Sequence, residues 1–433
     1  MNALVHKGPS TDNFLKVALG LLMAVYLCNF FTPLRLTNDT VRYLRLVEIK
    51  LGSWDLNDLD PDFLPHGYVW FLYGLSKIGL LNPFAIALLQ WFFLLGSIVF
   101  FRKIFCSQLH FSWMLVLLML NWNTIKFTLT PLSEMLYLFL STGALYYFHL
   151  AMQRRKASLF IPAIIFAGLG IYTRTAGMSL GLALILTPLI NQGKSIREWI
   201  GRNKLLTGCI AAMGLGLMSF QLMQHGVQKY IDDYSSPFVH HPLLMVGINI
   251  WTHTQEIGEL FINIPFGKAK TLLPASLLIA IYTATGLAFV VLFIKALFSK
   301  MLEIPPVVRV YSVIYFVMLY CWPMFEVRLW YPLFPFMLLV ILLWAGQMTQ
   351  NKAFRLVWNA WLVSYVIAGI FSLGYYSWLS FDRKAMAERH DAGIWKKEYR
   401  SHFFKTGNAA APDQHAIYIL DKYDPMHKAA PGR

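Results

Sequence analysis

Six carboxylates in one short polar stretch are the residues of this chain best suited to chemistry: Asp39, Glu48, Asp55, Asp58, Asp60 and Asp62 lie between positions 36 and 68, flanked on both sides by strongly apolar sequence. Apolar surroundings offer no structural reason to keep them, because buried carboxylates are costly and exposed ones add little to stability. A carboxylate can take a proton from a reacting hydroxyl. Far along the chain, two arginines break apolar runs, Arg174 in Tyr172-Thr173-Arg174-Thr175-Ala176-Gly177 and Arg328 in Glu326-Val327-Arg328-Leu329-Trp330-Tyr331-Pro332. Their guanidinium groups are planar, permanently charged and matched in shape to the oxygens of a phosphate. One more acid, Glu134, opens an apolar run behind Thr130-Pro131-Leu132-Ser133, where a first-turn acid is also favoured by the helix dipole.

Asp39 stands apart from the other acids of the loop. It is three residues before Arg42 and four before Tyr43, at the head of an amphipathic run (Val41, Leu44, Leu46, Val47, Ile49, Leu51) that predicts a short helix lying at a membrane interface, with Glu48 further along it. Pro65-His66-Gly67-Tyr68 ends the loop. The residues from 67 to 81 are apolar but few and contain Lys77, so they are expected to dip into the interface. Asp55, Asp58, Asp60 and Asp62 are crowded, and their mutual repulsion suits them poorly to a fixed geometry.

The elements that must position these groups follow from composition. Of 433 residues, 57% are hydrophobic, 16% aromatic and only 14% charged, and the mean hydropathy is +0.52. Such a chain is a polytopic membrane protein. Its net charge of +15 is then a matter of loop distribution rather than of nucleic-acid binding. The expected fold class is all-α, a bundle of about eleven transmembrane helices, at 14–31, 82–105, 111–127, 132–152, 159–172, 177–190, 205–223, 272–297, 307–322, 331–347 and 357–378.

Topology follows from the charges. With the N-terminus in the cytoplasm, the inner turns collect Arg154, Arg155, Lys156, Lys194, Arg197, Arg202, Lys204, Lys300, Arg309, Lys352 and Arg355. All acids but Asp12, Glu198 and Glu303 then fall outside. This gives a membrane domain at 1–379, an outer loop at 32–66 that holds the candidate chemistry, a second outer loop at 224–271, and an external, partly disordered tail at 380–433. The first span is too long for a cleaved signal peptide and lacks a small-residue cleavage site. The four cysteines have no paired spacing, so neither a disulfide framework nor a zinc site is expected. His240-His241 reads as a solvated pair of the second outer loop. Asp232-Asp233 is the one place suited to a divalent cation, and no other cofactor is expected.

Several of these elements together resemble the GT-C class of polytopic glycosyltransferases, which includes protein O-mannosyltransferases and aminoarabinose transferases. The resemblance rests on Asp39 after the first span with Tyr43 four residues on, the Pro-x-Gly-Tyr exit at Pro65 to Tyr68, and the Pro-x-Ser-Glu of Pro131 to Glu134. It is completed by Gly168, Gly170 and Arg174, and by the Arg-x-x-Tyr-Pro-x-x-Pro of Arg328 to Pro335. It covers roughly positions 18 to 343. It departs from the class at Asn38-Asp39, where many members carry two acids, and at Pro65-His66-Gly67-Tyr68, where many have Pro-Pro-x-Tyr.

What the resemblance implies is sugar transfer from a polyprenyl-phosphate carrier to a lipid, glycan or protein acceptor on the extracytoplasmic side of a bacterial inner or plasma membrane. Asp39 would be the general base and Arg174 and Arg328 the ligands of the donor phosphate. Tyr43, Glu48, His66, Tyr68, Glu134, Glu326 and Tyr331 would support them, and the aromatic segment from 67 to 84 would help form the groove for the prenyl tail. A transporter or flippase of lipid-linked sugars, or a polysaccharide polymerase or ligase, remains the alternative. A transporter should show duplicated halves and charges at the membrane midplane, and no duplication is visible.

Overall fold

A computed structural model describes residues 9–32, 34–53, 64–105, 111–191, 201, 208, 241–348, 350–382 and 414–423. Among these, every regular element is helical. The principal helices are α1 Pro9–Asn29, α2 Asn38–Lys50, α3 His66–Lys77, α4 Pro83–Phe105, α5 Phe111–Met119, α6 Trp122–Thr128, α7 Glu134–Arg154, α8 Phe160–Thr173 and α9 Gly177–Asn191. They continue with α10 Pro242–Ile262, the single turn α11 Phe266–Ala269, α12 Ala275–Leu297, α13 Pro306–Tyr320, α14 Phe334–Gln347, α15 Lys352–Phe381 and α16 Gln414–Tyr423.

Four of them, α4, α7, α12 and α15, are long and apolar enough to cross a membrane, and five more apolar helices are shorter. The described residues are all-helical in their regular structure and those of an integral membrane protein. Apart from position 208, the expected span at 205–223 lies outside the described residues, as do Asp55, Asp58, Asp60, Asp62, Asp232, Asp233 and His240.

The core gathers around α14, whose residues from Phe334 to Leu343 are all buried. Its sequence FPFMLLVILLWAGQ is apolar on every side, the pattern of a helix enclosed by others. Beside it, α10 and α12 lie backbone to backbone. A Cβ on Gly258 would collide with the Tyr282 carbonyl, and one on Gly286 with the Thr254 carbonyl. Only glycine permits that approach.

Two expectations from sequence are corrected here. The span expected at 111–127 is broken into α5 and α6 at Asn121, because that side chain is committed to a buried network: its amide donates to Asn263 Oδ1 at 3.3 Å and to the Tyr365 hydroxyl at 3.0 Å. Its carbonyl oxygen caps α6 by accepting from Asn123 N. Asn263 completes the network from the end of α10 in the left-handed conformation (φ 66°) that asparagine tolerates. The second outer loop is in its described part mostly the helix α10, whose apolar face is held by α12. In the tail, expected to be partly disordered, residues 414–423 form α16 against α2.

Candidate active site

Where α2, α7, α8 and α13 end, their termini and connections enclose a cavity of ≈ 340 Å³. Asp39, Arg42, Tyr43, Glu134, Arg174, Glu326 and Arg328 all line it, joined by Asn38 and Ser133. Residues separated by almost 300 positions in sequence thus meet at one spot.

Local sequence explains each placement. Helix α2 begins at Asn38 as the amphipathic run implied, with Asp39 in its first turn, where the exposed N–H groups favour a negative charge. Arg174 follows the last residue of α8 in an extended conformation (φ −146°, ψ 141°) that turns its side chain out of the helix line. The chain then re-enters a helix at Gly177. Gly67 of α3 lies so near this turn that a Cβ there would be 2.5 Å from the Tyr172 carbonyl oxygen. The glycine of the Pro-x-Gly-Tyr exit therefore lets α3 brace the segment that carries Arg174. Arg328 stands in a short 3-10 turn, Val327–Trp330, between α13 and α14.

The charges are paired throughout. Arg328 bonds the carboxylates of both Asp39 and Glu326. Arg174 Nη1 is 2.6 Å from Glu134 Oε1, with both side chains nearly inaccessible. Arg42 is 3.7 Å from Asp39 on the same helix. Three carboxylates face three guanidinium groups, so the cavity is close to neutral as it stands. Burial alone would pull Arg174 and Arg328 toward deprotonation, but the acids around them prevail and hold both above the ordinary arginine value, Glu134 doing so for Arg174 and Asp39 for Arg328.

Ser133 and Tyr43 link the two halves. The Tyr43 hydroxyl donates to Ser133 Oγ at 3.3 Å, and Arg174 Nη1 donates to the same oxygen at 3.3 Å. Ser133 precedes α7 but does not cap it; its hydroxyl serves the site instead. Burial, reinforced by Glu134, raises the Tyr43 phenol well above its usual value, so it acts as a neutral donor. Glu134 Oε2 is buried without a hydrogen-bond partner, leaving one acceptor beside the cavity for a donor group of a ligand.

Four of the supporting residues expected from sequence lie elsewhere. Tyr68 is buried behind the site, its ring edge-on to Tyr43 at 5.0 Å and its hydroxyl bonded by Gln90 at 3.1 Å. Tyr331 points into the core, where its hydroxyl meets Thr124 at 2.9 Å. His66 begins α3 beside Lys50, and burial followed by that lysine's charge keeps it below the ordinary histidine value. Glu48 is on the face of α2 turned away from the cavity and meets α16. Nor do the aromatic rings of 67–84 form its apolar wall. Phe71 instead packs against Tyr68 and Phe93 in the core, and the wall consists of Leu64, Met178, Met318, Leu319, Trp322, Met324 and Leu329.

One group escaped the sequence reading altogether. Behind the 3-10 turn of Arg328, the Trp330 indole donates to Glu256 Oε2 at 3.1 Å, and Glu256 pairs with His253 Nδ1 at 2.7 Å. His253 Nε2 meets the Trp322 carbonyl at 2.8 Å. A histidine and a glutamate three apart inside an apolar stretch are the signal that would have found it, since that spacing places both on one helix face. Among the described residues no three His, Cys, Asp or Glu side chains are grouped to hold a metal ion.

No family model matches this chain, and no curated protein matches it. Among solved structures it is similar to the archaeal oligosaccharyltransferase AglB from Archaeoglobus fulgidus, in complex with an inhibitory peptide and a dolichol-phosphate. The identity is 14% and the TM-score 0.35, over 95% of this chain and 55% of that one. The chain thus spans about half the length of the protein it matches. A likeness so distant carries no weight for the chemistry, which rests on the cavity's own residues.

Proposed function

We propose that the chain is a membrane glycosyltransferase that moves a sugar from a polyprenyl-phosphate carrier to an acceptor at the extracytoplasmic face, with Asp39 as general base. The observation that carries this reading is the pairing of Asp39 and Arg328 within one cavity that also holds Arg174 and Glu134. A base and cations for a departing phosphate are what such a transfer needs. The apolar wall of Met178, Met318, Leu319 and Trp322 offers a path for the first prenyl units.

The pairing also suggests an order of events. While Arg328 holds Asp39, an oxygen of that carboxylate is occupied by the guanidinium. A donor phosphate that draws Arg328 to its own oxygens frees that oxygen to accept the acceptor's proton, so the base becomes available only once the donor is in place. Atoms balance simply: the acceptor oxygen bonds the anomeric carbon, the bond from that carbon to the phosphate oxygen breaks, and the acceptor's proton goes to Asp39. A transporter needs no such base, and charged groups gathered at helix ends rather than mid-helix fit the transferase better.

The test is turnover of polyprenyl-phosphate-linked mannose, glucose and aminoarabinose by purified protein and by Asp39→Asn. Base catalysis contributes about 10²- to 10⁴-fold, so Asp39→Asn should lose that much turnover while still binding polyprenyl phosphate. Near-normal turnover in Asp39→Asn would move the role to Glu134.

A further inference from the structure

Glu48 has no access to solvent, although it lies on a helix expected at a membrane surface. Lys422 Nζ donates to its two oxygens at 2.8 and 2.9 Å, the Tyr423 hydroxyl donates to Oε1, the Tyr418 hydroxyl to Oε2 at 3.4 Å, and Ser53 to Oε2 at 2.8 Å. Three of these four donors come from α16. The buried side chains of Ile417, Ile419 and Tyr423 close the contact. A carboxylate caged this way by a distant segment must be explained, because left in water it would need no partner at all.

Helical geometry connects the cage to the site. Glu48 and Asp39 are nine residues apart, which at about 100° per residue sets them on opposite faces of α2 and about 13 Å apart along it. One face presents Asp39 to the cavity while α16 grips the other. We propose that α16 is a strap that fixes α2 in place, with Glu48 as the positioning residue through which it sets the location of Asp39. The kinetic consequence, though not the strap itself, rests on the transferase reading above. Loosening the strap lets α2 shift by a fraction of a helix diameter while Asp39 keeps its charge and its chemistry.

The experiment uses full-length protein. Arg45 and His415 face each other across the contact, Nη2 to Nδ1 at 3.3 Å, so Arg45→Cys/His415→Cys should be joined by a short bis-maleimide. Lys422→Glu should abolish that cross-link and raise amide hydrogen exchange of α2 more than tenfold, and the exchanged pair Glu48→Lys/Lys422→Glu should restore both. With the sugar donors above, Lys422→Glu should lower kcat on the order of 10²-fold at unchanged KM, the loss that a misplacement of about 1 Å produces, and the exchanged pair should recover it. No cross-link in the parent, or unaltered exchange in Lys422→Glu, overturns the strap. Altered exchange with unaltered kcat overturns the positioning role. A parent protein inert toward every donor refutes the transferase reading instead, while the exchange response still establishes the strap.

Discussion

Removing Arg174 should reveal whether it binds the donor or merely neutralises Glu134. The glutamate side chain is 1% exposed and the arginine 11%, at 2.6 Å, so solvent screens the pair very little. Arg174→Ala leaves an acid enclosed without its cation, a change that costs about 3 to 5 kcal/mol. Replacing both by apolar residues of similar size, Glu134→Leu/Arg174→Met, removes the stranded charge and should be close to neutral. The double variant should therefore be at least about 3 kcal/mol more stable than Arg174→Ala, a factor of more than a hundred in the unfolding equilibrium. Denaturant unfolding in detergent, followed by tryptophan fluorescence, reads that difference. Binding of polyprenyl phosphate by calorimetry then separates the two roles: a donor ligand predicts weak binding in both variants despite the regained stability. If the double variant binds polyprenyl phosphate as the parent does, Arg174 is a structural partner only, and the cavity holds its phosphate through Arg328.

Other expectations can be checked with less work. Arg328→Lys keeps the charge but loses the planar fork that matches a phosphate's oxygens, so donor affinity should fall by more than tenfold in direct binding. Asn121→Leu removes the donor to Asn263 Oδ1 and the Tyr365 hydroxyl together with the cap of α6, and should destabilise the fold by about 1 to 3 kcal/mol without changing donor affinity in the surviving fraction. Cysteines at Ser53 and Ser401 should both react with an impermeant reagent on intact cells; protection of both would reverse the topology. The strap should respond to acid. Burial acts to raise the Glu48 carboxyl, but Lys422, Tyr423 and Ser53 more than offset it and hold it below its ordinary value of 4.5. A depressed acid stabilises fully above that ordinary value and loses its contribution as pH falls through the lower, folded one. With Lys422, Tyr418 and Tyr423 charged or neutral as at pH 7 throughout, and His415→Ala removing the nearby imidazole, slow exchange of α2 should persist while the pH stays above the ordinary carboxyl value and fail as it falls below that value. Fast exchange already at pH 6 would contradict it.

What could be read from the sequence was whatever a short stretch states by itself. The amphipathic run after Asp39 announced α2 with its start within one residue, because a period of apolar side chains needs no knowledge of the partner. The polar breaks at Arg174 and Arg328 stood out for a similar reason, as charges interrupting apolar sequence must face something other than lipid. What could not be read was who pairs with whom. Glu134 looked like a first-turn acid and proves to be the partner of Arg174, forty residues on. Glu48 seemed to belong to the site because it shares a helix with Asp39; the half-turn between them sends it to the other side. His253 and Glu256 were hidden within a segment taken for a loop, since two charges and a histidine lower its apparent hydropathy, while their mutual pairing is what makes them tolerable inside.

The same logic of mutual satisfaction explains why the cavity is neutral before any ligand arrives. An unpaired Arg328 in so enclosed a place would be costly, and so would an unpaired Asp39, yet the two together are stable and each is primed to leave the other. On the transferase reading, a donor phosphate that draws Arg328 toward its own oxygens frees the oxygens of Asp39 beside the reacting centre. For that exchange to work, Asp39 must stay where it was when Arg328 turned away, and inside the cavity the Tyr43–Ser133 hydrogen bond still holds α2. A second hold comes from behind. Glu48, gripped by α16 on the opposite face, is the one strongly anchored charge of that helix that a ligand in the cavity does not touch.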